Sequence, residues 1–164
     1  MHGQRKPRQH RMMRDPISHA ILRATRLLDC EVETIINPVR ECETALREGC
    51  ATLMQWRILD STMQIASIIE KSRIIKGLYK EINAAHSALA AIENRALQTG
   101  KWKQTPLYTH ELESVHEAIG FHEFQLRKLS AGELHHFVNK LTKITASQGG
   151  SVEVISLEEL EART

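Results

Sequence analysis

At 164 residues, 41% hydrophobic and 26% charged, the chain fits one domain that buries roughly two-thirds of the surface it exposes when unfolded. Aromatic residues make up only 4% of it and prolines number four, while Ala, Leu, Ile, Glu, Lys and Arg are common, which favours helices over strands. Cys30, Cys42 and Cys50 form no CxxC pair, which argues against a disulfide framework and a zinc site, and no window reaches the ~18 uninterrupted apolar residues of a spanning helix; a cytoplasmic protein without membrane contact is expected.

The net charge of +2 hides an asymmetry. Residues 1–14 carry Arg5, Lys6, Arg8, Arg11 and Arg14 with no acid, so a +5 tail precedes a body of −3. The tail is polar, aperiodic and self-repelling, and is expected to be disordered until it meets something acidic. Asp15 and Pro16 then read as the cap and first position of a helix with Ile17, Ile21, Ala24, Leu28, Val32 and Ile35 on one face, ending at Asn37-Pro38. A short helix follows, with Val39, Cys42 and Leu46 inward and Gly49 closing it.

Thr52 reads as the cap of a helix from about Leu53 to Lys71 whose polar residues crowd into a narrow sector, making it the central one; Met54, Trp56, Leu59, Met63 and Ile69 belong to its broad apolar side. The next helix is predicted from about Ile75 to Gln98, with Gly100 ending it in the left-handed conformation. After the loop at 99–108, Thr109 caps a helix with Leu112, Val115, Ile119, Leu126 and Leu129 inward. Ser130 to Glu133 forms a capping box for a sixth helix that buries Leu134, Phe137, Val138, Leu141 and Ile144. Val152–Ile155 reads as one extended segment and Ser156–Glu159 as a second capping box. The predicted architecture is an all-α single bundle of five to six helices over 15–146, with a disordered basic tail at 1–14 and a C-terminal extension at 147–164 that carries a short terminal helix.

Chemistry is harder to find. Two ExxH strings, Glu113 to His116 and Glu133 to His136, have the spacing of carboxylate-bridged di-iron bundles, but such a site needs both strings facing one core, and a helical wheel turns His136 away from Phe137 and Leu141. His122, on an apolar face between Ile119 and Leu126, reads as a core histidine bonded to a neighbour. Glu41 and Glu43 read as surface acids. The chain lacks a nucleophile elbow and a phosphate-binding glycine loop, so no catalytic, metal or cofactor-binding residue is assigned, and no cofactor is expected.

Two surfaces remain. The tail arginines and lysine, together with His135, His136, Asn139, Lys140 and Lys143 on the outer face of the helix 131–145, are candidate nucleic-acid contacts. Lys101, Trp102 and Lys103 place an indole at a helix junction, either as a lid over helix ends or as an anchor for a protein partner. The pattern LREGCAT, Trp56, TGKW, ELESVHEAIGFHEFQL and SAGEL, across residues 46–141, resembles a family of small, uncharacterised all-helical proteins encoded in proteobacterial genomes, plasmids and prophages. That resemblance implies an accessory role in a bacterial cytoplasm and no particular activity. The expectation is a non-catalytic accessory or regulatory protein acting through protein contacts, with homo-oligomers among its options. The first alternative is a small DNA-binding regulator, and the second a bundle-core metal enzyme.

Overall fold

The computed structural model describes residues 24–150, which form five helices: α1 Asp29–Arg47, α2 Leu53–Lys71, α3 Tyr79–Ala96, α4 Thr109–Leu126 and α5 Ala131–Ser147. This is the all-α bundle that composition and periodicity predict. The basic tail, the Asp15-Pro16 helix start, the Val152–Ile155 segment and the Ser156–Glu159 box lie outside the described residues.

Helix α2 touches each of the other four helices, and α3 packs most broadly on α4. Its inner face comprises Trp56, Leu59, Met63, Ile65, Ala66, Ile68 and Ile69, and Ser61 and Thr62 are buried as well. Thr62 manages this by donating its hydroxyl to the Ile58 carbonyl (2.7 Å). Met54, expected on the apolar side, is instead exposed in the first turn. One core joins α1 to α4; a second cluster joins Ile65, Ile68 and Ile69 of α2 to Leu129 and to Phe137 and Leu141 of α5.

The helix starts are local in origin. Thr52 Oγ1 accepts the Gln55 N–H (3.2 Å) while Gln55 Oε1 accepts the Thr52 N–H (2.8 Å), and Ser130 and Glu133 make the same reciprocal pair at α5 (3.3 and 2.8 Å). Gly49, with φ of +72°, ends α1 as expected, whereas α3 stops at Ala96, short of the expected Gln98, and Gly100, with φ of +76°, closes the turn that follows.

Four further sequence expectations are corrected. Asn37-Pro38 breaks nothing: α1 runs through it, because Val32, Ile36, Val39 and Cys42 on both sides of the proline share one buried face. Residues 25–27 are not helical; the Leu27 N–H donates to Leu129 O (3.0 Å), an isolated antiparallel bridge pairs Arg26 with Ser130, and Leu27 is buried in place of Leu28. Helix α3 starts at Tyr79 rather than Ile75, since Gly77 has φ of +100° and the Gly77 and Leu78 N–H groups both donate to Glu70 Oε1 (2.8 and 3.2 Å). Ile144 is exposed, so α5 buries a narrow stripe against α2.

Candidate functional site

Polar side chains that the sequence left unassigned hold the helices together. Glu111, buried at the start of α4, takes both guanidinium nitrogens of Arg95 (2.9 and 2.5 Å) and the Tyr108 N–H (3.2 Å), while the guanidinium lies 4.9 Å from the Tyr108 ring centre. Burial alone would raise the Glu111 carboxyl, and the bonds from Arg95 and Tyr108 outweigh it and hold it below its usual range. Glu43, expected on the surface, is buried between α1 and α4, with Arg47 Nε at 2.8 Å and His116 Nδ1 at 2.7 Å from the same oxygen. On the outside, Arg40 pairs with Glu123, and Arg127 pairs with both Glu123 and Asp29. These are structural ties. No group of three or more His, Cys, Asp or Glu side chains among the described residues is arranged to hold a metal ion.

His122 is the core histidine the sequence suggests. It is 3% exposed, its Nδ1 sits 3.2 Å from Gln125 Oε1, and Gln125 Nε2 donates to the Ala66 carbonyl (3.2 Å), a chain that places the proton of the neutral ring on Nδ1. Burial pushes its pKa down to about 4 from an ordinary 6.5. The unfolded chain therefore binds this proton first: the neutral core is fully stable above about 6.5, and stability falls as pH drops through the window from 6.5 to 4. Full protonation in the unfolded state alone corresponds to roughly 3 kcal/mol. His122→Gln is expected to flatten the pH dependence of the urea midpoint in that window; an unchanged slope would mean the ring is not the group responsible.

Cys42 is a core thiol, which burial and nearby Glu41 raise to about 11, so it stays protonated and inert. Cys30 and Cys50 are exposed.

The Trp102 loop is tied down. The indole N–H donates to the Ala51 carbonyl (2.8 Å), and the ring packs 6.0 Å from Trp56 at 47°. Lys101 and Lys103 point to solvent on either side of the half-buried indole. The cleft beneath, lined by Leu46, Ala51, Ile92 and Leu107, has room for about one water molecule. This geometry supports the lid, and Trp102→Ala is expected to cost about 2 kcal/mol through lost area and an unpaired carbonyl, read from the denaturant midpoint. A change within about 0.5 kcal/mol would contradict it.

Among the nucleic-acid candidates, Arg5, Lys6, Arg8, Arg11 and Arg14 lie outside the described residues, whereas His135, His136, Asn139, Lys140 and Lys143 all lie exposed on α5. The structure adds a neighbour that sequence reading split between two helices. Residues 71–80, KSRIIKGLYK, form the α2–α3 connection and its edges, with Lys71, Arg73, Lys76 and Lys80 exposed and no acid among them. Ile75 packs against the second core cluster, to which Ile68 and Ile69 of α2 and Phe137 and Leu141 of α5 also belong, so the connection and α5 share this part of the core. Exposed there are Ile74 (48%), Tyr79 (59%) and, on α5, Ile144 (41%). The run of four cations without an acid was the signal in the sequence; its proximity to α5 was not. Comparisons of the chain with protein-family models, with curated proteins and with solved structures return no match.

Proposed function

We propose that the protein is a non-catalytic accessory or regulatory protein that acts by docking, and that its docking surface is the end of the bundle shared by α5 and the α2–α3 connection. The observation that carries this reading is the run of exposed cations Lys71, Arg73, Lys76 and Lys80, uninterrupted by an acid and interleaved with exposed Ile74 and Tyr79, on a backbone held by Glu70 and Ile75. Apolar groups that stay exposed on a fixed frame provide contact area at little ordering cost. The resemblance of residues 46–141 to small proteobacterial helical proteins points the same way, to an accessory role in a bacterial host. The Trp102 loop, whose indole is already engaged, is a weaker candidate for a partner.

A photo-crosslinking side chain placed at Ile74 or Tyr79 of the full chain, in cells of the native host, tests the location. Adducts to a macromolecule are expected from both positions and not from Met54, which is comparably exposed on α2. Adducts from all three alike, or from none, would overturn the assignment.

A further inference from the structure

We infer that the partner of this surface is duplex nucleic acid, gripped by its phosphate backbone; the inference rests on the docking reading above and names the occupant. The described residues hold fifteen bases and fifteen acids, yet 71–80 and 134–150 contain six of the bases and none of the acids. The rest of the described body is therefore acidic, and the positive potential is concentrated where those two stretches meet.

The three acids bordering the two stretches, Glu70, Glu81 and Glu133, keep their charge while capping backbone N–H groups or lying part-buried, and against six cations they leave this end net positive by three. Among the described residues, Lys71, Arg73, Lys76, Lys80, Lys140 and Lys143 form no ion pair, as is true of Arg26, Arg57, Lys101, Lys103 and Lys128, which are scattered over the rest of the chain.

The residue types favour phosphate over an acidic polypeptide. Five of the six cations are lysines, which protein interfaces avoid and phosphate contacts use. Helix α5 adds Asn139, His135 and His136, side chains able to meet base edges or sugar oxygens beside those phosphates. A duplex fits better than a single strand. Single-strand sites stack successive bases on several aromatic rings, and this end exposes one, Tyr79, whereas Tyr108 faces Arg95 and Phe124 faces Lys128.

The test is fluorescence anisotropy of a labelled duplex of about 25 bp with the full chain, titrated over salt from about 20 to 300 mM. The six cations allow a log–log salt slope of up to about −5 from this surface. Lys140→Gln with Lys143→Gln should weaken binding at least ~10-fold at low salt and reduce the slope by about two, while Lys101→Gln with Lys103→Gln should change neither. Arg73→Gly is the sharpest variant: Arg73 has φ of +66°, so glycine relieves the backbone as it removes a cation, and the slope should fall by about one with melting unchanged or raised. No duplex binding at low salt, binding that survives these variants and vanishes when residues 2–14 are removed, or displacement by polyglutamate as readily as by unlabelled duplex would each overturn the inference. If it fails while Ile74 and Tyr79 still crosslink to a protein, the docking surface stands with a different occupant; if the crosslinks are absent too, both readings fall.

Discussion

Trp56→Ala is expected to destabilise the protein by about 3–5 kcal/mol, seen as a lower urea midpoint with unchanged m-value. Trp56 is 6% exposed in the middle of the main core and donates its indole N–H to the Leu89 carbonyl (3.1 Å), so truncation opens a cavity between α2 and α3 and strands a buried acceptor. Trp102, which leans on the same ring, loses its support at the same time. Trp56→Phe should recover much of the area and cost less than the alanine variant, its remaining cost reporting the lost hydrogen bond together with the smaller ring. A near-neutral alanine variant would mean that this ring is not part of the core.

Glu111→Ala is expected to cost about 3 kcal/mol, because it leaves the Arg95 guanidinium, three-quarters covered, without its carboxylate and removes the acceptor of the Tyr108 N–H. Arg95 Nε is already buried without a partner, which adds to the demand on the remaining two nitrogens. Replacing both members, Arg95→Met with Glu111→Leu, should cost less than removing the carboxylate alone, since no charge is then left in the interior. A double variant worse than Glu111→Ala would contradict that account. Because the Glu111 carboxyl is held low in the fold, its contribution is present above the ordinary value of 4.5 and is lost as pH falls below it, from the lower end of the His122 window downward. Acid should therefore loosen α4 from two neighbours, from α3 through Glu111 and from α2 through His122.

What the sequence made legible was the local part of the fold. Thr52, Ser130 with Glu133, and Gly49 announce helix boundaries because their partners lie within three or four residues, and the structure places each where its chemistry predicts. Asn37-Pro38 misleads because a proline's local penalty is outweighed by burial of Val32, Ile36, Val39 and Cys42 on one continuous face. The α3 start was hidden for the opposite reason: its N–H groups are capped by Glu70, which belongs to the previous helix. Polar residues were the least legible. Glu43 meets Arg47 one turn along its own helix, but its partner His116 and the Arg95 partner of Glu111 arrive from other helices, and no periodicity encodes those meetings. The α5 face could be read from helical spacing, whereas its link to residues 71–80 depends on Ile75 packing against the core cluster that Phe137 and Leu141 share with α2.

The docking surface is most directly tested by mapping amide shifts of the 164-residue chain as duplex DNA is added at low salt. The account predicts perturbations concentrated in residues 71–80 and 134–147, with the Trp102 loop and α1 unaffected. Shifts confined to the tail, or spread over the faces of α1 and α4, would contradict it.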